Sequence, residues 1–270
     1  MKIIYNVFTH QMEKLGNLQN EKLGTTAVPF TTLSKFAKVQ DIAGNCVCKI
    51  KTSMVNNQQD QGTCTFYKVA QNETTRFLLM TCNHVMPTNS FHEIIKAVLE
   101  FEKIPQLKSF SLVKEQVKYV WTSKFYDTTI VEILPEQAEL LTTKGIKFLE
   151  VSKAKLHVEI AIPQYPLGIF SIAFGDIEGL GDNEVFYRIG TAPGSSGSPL
   201  LTCDCVALAM HNMGTVGAAG YQPNATRKAI SLDSVIRAYL TEESEFEQNF
   251  NDLKKTVSSL ECVWMRLFRV

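Results

Sequence analysis

Thr191-Ala-Pro-Gly-Ser-Ser-Gly-Ser-Pro-Leu200 lies between two β-type runs, VFYRIG (185–190) and PLLTCDCVALAM (199–210). Gly194 and Gly197 flank Ser196, so the backbone can turn tightly there and leave one hydroxyl exposed. A sharp turn also points successive N–H groups inward, and the amides of Gly194 and Ser196 are suited to donate to one developing oxyanion. Read alone, the stretch is equally a Gly/Ser connection between strands. Its meaning depends on what the rest of the chain carries.

Upstream, the texture is one of short β-type runs: CVCKI (46–50), TCTFYKV (63–69), RFLLMTC (76–82), KYVW (118–121) and TTIVEI (128–133). A second set follows, with LHVEIAI (156–162), the two runs around the serine loop, and AISL (229–232). Each is rich in Val, Ile, Thr and aromatics and bounded by polar or Gly/Asn turns. PEQAELLTTKG (135–145) reads as the connector between the sets, and FHEIIKAVLEFE (91–102) as a helix or a strand pair. Such spacing predicts a mainly β fold of barrel or sandwich type rather than βαβ units. Residues 1–40 read as an extension of unknown role, interrupted by Gly16, Gly24 and Pro29. The β region spans 41–240, with a first barrel over about 41–135 and a second over about 150–232. The tail is different. Phe246, Phe250, Leu253, Val257, Leu260, Trp264 and Leu267 recur at alternating steps of four and three, so 241–270 reads as an amphipathic helix. Its seam over 246–267 packs on the chain's own core or on a second copy.

Two further residues give the serine its context. His84 follows an apolar strand in Leu78-Leu-Met-Thr-Cys-Asn-His84-Val, and Asp127 opens another in Tyr126-Asp127-Thr-Thr-Ile-Val-Glu-Ile133. The order is His84, Asp127, Ser196, separated by 43 and 69 positions. A serine hydroxyl is a poor nucleophile at neutral pH and needs an adjacent base; an imidazole can take the proton and return it to a leaving amine. A carboxylate behind the imidazole fixes its tautomer and stabilises the imidazolium.

Together these three segments resemble the trypsin-like serine peptidases, over roughly residues 41–240. The serine loop is similar to the family's G-x-S-G-G/S-P signature, and His84 to its T-A-x-H element. That resemblance implies two six-stranded antiparallel Greek-key barrels, followed by the helical tail. It also implies a His84–Asp127–Ser196 triad and an oxyanion hole from Gly194 and Ser196. The chain departs from the secreted digestive branch in two ways. Ser195 stands where those enzymes carry the Asp that pairs with a new N-terminus, and Val85 stands where a cysteine follows the histidine. Both features resemble the HtrA-like and glutamyl-endopeptidase-like branches, in which the site forms without N-terminal processing.

For specificity, Gly190 stands where trypsin-type enzymes carry Asp, so nothing supports a Lys/Arg preference. Thr191 and His211 resemble the Thr and His with which glutamyl endopeptidases and picornaviral main proteases bind P1 Glu or Gln. An imidazole and a hydroxyl converging in a pocket can bond one carboxylate or amide. The segment Asn212, Met213, Gly214 is suited to pair with substrate main chain as an added strand.

Composition sets the remaining bounds. The 270 residues are 45% apolar, enough for one large domain or two small ones, and 27 basic residues balance 27 acidic ones. Nothing in that balance calls for nucleic acid. No window approaches the length of a membrane span, and MKIIYNVFTHQMEKLGN lacks the long apolar run of a signal peptide. The expected setting is therefore intracellular and cytoplasmic, with the seven cysteines reduced. Cys46/Cys48 and Cys203/Cys205 form Cys-x-Cys pairs, but no further ligand stands at finger-like spacing, so neither metal nor cofactor is expected. The expected partners are protein or peptide substrates. The competing readings are a silent protease-like module that binds peptides or partner proteins without turnover, and an assembly protein organised by the heptad helix of the tail.

Overall fold

A computed structural model describes residues 34–54, 59–71, 73–87, 94–213 and 226–242. The N-terminal 33 residues, Gly214 and the 246–267 seam lie outside the described residues. Seven antiparallel strands form one sheet: β1 (Val47–Met54), β2 (Gln59–Gln71), β3 (Thr74–Thr81), β4 (Ile94–Glu100), β5 (Ser109–Leu112), β6 (Val117–Ser123) and β7 (Thr128–Ile133). Their order is β5-β4-β1-β2-β3-β7-β6. Six more close into a barrel: β8 (Glu159–Gln164), β9 (Ser171–Leu180), β10 (Glu184–Tyr187), β11 (Pro199–Leu201), β12 (Ala207–Met213) and β13 (Arg227–Ser231). Around the barrel the order is β10-β13-β12-β11-β8-β9.

Both units are wound alike. In each, the first three strands form a meander, the third pairs with the last, and the fourth strand pairs back on the first. These pairings are β3–β7 with β4–β1, and β10–β13 with β11–β8. That is the Greek-key path expected of a chymotrypsin-like double barrel. They differ at the seam. Pairing of β11 with β12 closes the second unit. In the first, the chain between β4 and β6 adds the short strand β5 on the outer edge of β4, and β5 and β6 remain the two edges. The first unit is therefore an open, seven-stranded form of the six-stranded barrel that the resemblance implied.

Strand identity follows burial. β7 is buried at all six positions and the last four residues of β3 are buried, as central strands covered on both faces should be. The described residues of FHEIIKAVLEFE contain one strand, β4, fixed by ladders to β1 on one side and β5 on the other. PLLTCDCVALAM is two strands, because residues 202–206 make a turn in which Cys205 adopts φ +66° and its N–H bonds the Thr202 carbonyl at 3.0 Å. The connector 135–145 contains the helix Pro135–Thr143, begun by a proline in its first turn, where no N–H partner is needed. One hydrophobic core runs through the first sheet and on to Tyr165, Leu201, Met210 and Ile230 of the second unit, so the two units share packing. The helix over 232–242 crosses back onto the first sheet: Trp121 Nε1 donates to Glu242 at 2.6 Å, and the Tyr239 hydroxyl donates to buried Glu132. Among the described residues no helix is long and apolar enough to cross a membrane.

Candidate active site

The serine loop consists of two consecutive turns. In Ala192-Pro193-Gly194-Ser195 the Ser195 N–H bonds the Ala192 carbonyl at 3.0 Å, and Gly194 takes φ +97°. Proline second and a left-handed glycine third is the type II pattern. In Ser195-Ser196-Gly197-Ser198 the closing bond is 3.1 Å and Gly197 takes φ +94°. No side chain fits at either glycine: a Cβ on Gly194 would lie 2.5 Å from the Tyr165 carbonyl oxygen, and one on Gly197 only 2.0 Å from that of Thr63. Ser196 is thereby held at the second position of the second turn.

Every carbonyl of this loop has a donor. Ala192 and Ser195 accept from Ser195 and Ser198 within the turns; Pro193 accepts from Leu167 N–H at 2.7 Å; Ser196 accepts from Thr63 N–H at 2.8 Å. Gly194 and Gly197 accept from the hydroxyls of Thr63 and Thr65, at 2.9 and 3.0 Å. The remaining N–H groups are also used: Gly197 donates to His211 and Ala192 to the Ser195 hydroxyl. Of the N–H groups in this loop, those of Gly194 and Ser196 have no acceptor among the described residues. A trans peptide points its carbonyl and N–H in opposite directions, so the Pro193–Leu167 bond turns the Gly194 N–H away from the 165–168 turn. The Gly194 and Ser196 amides are the two named from the sequence.

Sheet register brings the other two residues together. Thr81 of β3 pairs with Thr129 of β7, so the turn leaving β3 and the residue entering β7 lie side by side. Asp127 sits there at φ +47°, and its carbonyl accepts from Asn83 N–H at 3.0 Å. Its carboxylate receives the His84 N–H on Oδ1 at 3.0 Å and meets His84 Nδ1 through Oδ2 at 2.8 Å. His84 Nε2 lies 2.9 Å from Ser196 Oγ. The hydrogen bond from Asp127 raises the His84 pKa above its usual value, partial burial works against this, and the charges of Asp127 and Asp60 add to the rise. Ligand atoms of Cys82, His84 and Asp127 lie within 4.8 Å of one another. The Cys82 thiol, however, donates to the His211 carbonyl and is pushed well up by burial and then by Asp127, and the His84–Asp127 separation is that of a hydrogen bond.

The pocket residues are only partly assembled. Thr191 and His211 are both buried, yet no hydrogen bond joins them among the described residues. His211 Nδ1 instead meets the Tyr187 hydroxyl at 2.5 Å. Burial first and the Arg227 charge second, against a backbone hydrogen bond to Lys228 that raises it, lower the His211 pKa to about 3, so the ring is neutral. Asn212 is buried and Met213 is exposed at the end of β12. Tyr187, Thr63 and Leu167 were not singled out from the sequence. Each acts through hydroxyl or backbone groups within an ordinary strand or turn, and no motif marks it.

No protein-family model matches the chain, and no curated protein matches it. Solved structures do. The HtrA-type protease AlgW with tripeptide is 16% identical at TM-score 0.53, over 76% of this chain and 62% of that one. The Rv3671c protease from M. tuberculosis in its active form is 15% identical at TM-score 0.55, over 81% and 91%. Deg5 is 15% identical at TM-score 0.52, over 78% and 94%. The fold is thus the chymotrypsin-like double barrel of trypsin-like serine proteases, in a form that resembles the HtrA type. This chain spans less than two thirds of AlgW's length.

Proposed function

We propose that the chain is a serine endopeptidase that cleaves peptide bonds through an acyl-enzyme, with Ser196 as nucleophile, His84 as base and acid, and Asp127 as the group that orients it. The observation that carries this is the continuous relay Asp127–His84–Ser196, at 2.8 and 2.9 Å, beside two amides with no other acceptor. As Ser196 Oγ attacks the scissile carbonyl, its proton passes to His84 Nε2. The carbonyl oxygen gains negative charge and is received by the Gly194 and Ser196 N–H groups. Collapse expels the leaving amine, which takes the proton from His84. Water, activated by the same imidazole, then hydrolyses the ester and restores the serine.

Preference for Glu or Gln at P1 is the reading the pocket supports. His211 is neutral and buried, and a Tyr187 hydroxyl that donates to Nδ1 would keep Nε2 protonated as a donor toward a P1 oxygen. The end of β12, where Asn212 is buried and Met213 exposed, is suited to receive substrate main chain as an added strand.

Cleavage of a peptide library by the purified protein tests both levels. The wild type should cut, with Glu or Gln enriched at P1, and Ser196→Ala should not. His211→Ala should change the P1 profile more than the rate on the best remaining peptide. Peptides bound equally by wild type and Ser196→Ala, with none cut, would make the chain a binding module instead.

A further inference from the structure

The carbonyls on either side of the Gly194 amide have different anchors. On the N-terminal side, Pro193 is held by the Leu167 amide at 2.7 Å. On the C-terminal side, Gly194 is held by a side chain from the other structural unit, the hydroxyl of Thr63 on β2 at 2.9 Å. That hydroxyl also accepts from Tyr165 N–H at 3.1 Å, so one oxygen ties the serine loop to the start of the 165–168 turn. The backbone of Thr63 is committed to the same place. Its N–H holds the Ser196 carbonyl at 2.8 Å, and its carbonyl receives the Thr81 hydroxyl at 2.8 Å. Thr63 is fully buried, and all its polar groups serve this junction.

A glycine at φ +97° has low barriers to reorientation of its flanking peptides, so an oxyanion amide there is only as well aimed as its anchors make it. Ser195, the residue between Gly194 and the nucleophile, brings no charge; it is buried and its hydroxyl accepts from Ala192 N–H at 3.2 Å. No ion pair with this residue can therefore lock the loop. We infer that Thr63 is a positioning residue of the oxyanion hole, its hydroxyl fixing the Gly194 peptide across the junction of the two units. This rests on the peptidase reading above. It assigns to a strand residue, 133 positions upstream of the nucleophile, the task of keeping the hole formed in the resting protein.

The test compares Thr63→Val, which keeps shape and loses the hydroxyl, with Thr63→Ser, which keeps the hydroxyl. The readouts are kcat and KM on a peptide cut by the wild type. A second readout is the affinity for a peptide aldehyde, whose adduct with Ser196 puts an oxyanion in the hole, against that for the matching peptide amide. Thr63→Val should lose about 10- to 100-fold in kcat with KM within about twofold, and lose aldehyde affinity in parallel while amide affinity stays. Thr63→Ser should stay within about threefold of wild type in kcat, since it retains the hydroxyl anchor. If Thr63→Val does not fold, the difference between Thr63→Ser and Thr63→Ala reads the hydroxyl instead. A folded Thr63→Val with wild-type kcat, or a Thr63→Ser as impaired as Thr63→Val, overturns the inference. A wild type inactive on every peptide would instead overturn the peptidase reading, and this inference with it.

Discussion

His84 holds a proton more tightly than a free imidazole because Asp127 accepts from its ring, and this sets the pH at which the site can work. Only neutral His84 can take the proton of Ser196. Activity should therefore fall as pH drops through a pKa above the ordinary histidine value of about 6.5, and kcat/KM against pH reads that limb. Asp127→Asn should fold normally, lose about four orders of magnitude in kcat, and move the acid limb to lower pH; equal activity in that variant would mean that another group orients the histidine. His211 carries the opposite sign. It is neutral when folded, with a pKa of about 3, whereas in the unfolded chain it binds a proton below about 6.5. The unfolded state thus takes up more protons between these values, and stability drops as pH falls, by about 1.4 kcal/mol per pH unit from this group. His211→Gln should flatten that part of the urea-stability curve; an unchanged slope would assign it to other groups. His84, Asp127 and Ser196 were legible because each ends or opens a strand in a recognisable segment. Tyr187 and Thr63 were not, since one tyrosine or threonine in a β-run looks the same whether it touches water, the serine loop or the His211 ring.

At the scale of elements, the serine loop is built against a neighbour rather than by its own propensity. Gly197 turns within 2.0 Å, measured from an added Cβ, of the Thr63 carbonyl on β2. Gly197→Ala should therefore cost about 1–3 kcal/mol of stability and move the nucleophile, with a loss of activity far larger than the loss of folded protein explains. Thermal melting with kcat/KM on the folded fraction checks this, and full activity would contradict the tight turn. Strand texture was readable where Val, Ile, Thr and aromatics run together, as in β2, β3 and β7. It failed in two informative places. PLLTCDCVALAM looked continuous because its turn, Thr202 to Val206, holds no glycine or proline, and Cys205 takes the left-handed conformation instead. β9, SIAFGDIEGL, carries two glycines and two acids, and it becomes a strand through its ladders to β8 and β10.

At the scale of the molecule, the relay is complete only when both units are in register, since His84 and Asp127 come from the first and Ser196 from the second. The shared core and the threonine hydroxyls hold one side of that junction. On the other, the chain returns over the first sheet as the 232–242 helix, fastened at Glu132, whose carboxylate is met by Arg76 at 3.2 Å, Lys118 at 3.0 Å and the Tyr239 hydroxyl. Glu132→Ala removes the anion these groups share, and breaking such a buried cluster should cost about 3–5 kcal/mol in urea unfolding; wild-type stability would mean the helix is held by packing alone. The mainly β plan was legible in the spacing of the runs, and the double barrel in the family resemblance that the ordered motifs carry, while the opening of the first unit by β5 was not, because a four-residue strand leaves no period to read. The most direct test of the central claim is reaction of the purified, folded protein with a fluorophosphonate, followed by mass assignment of the modified residue. One adduct on Ser196 is predicted, lost in Ser196→Ala and strongly slowed in His84→Ala; a wild type that stays unlabelled, or is labelled elsewhere, would contradict it.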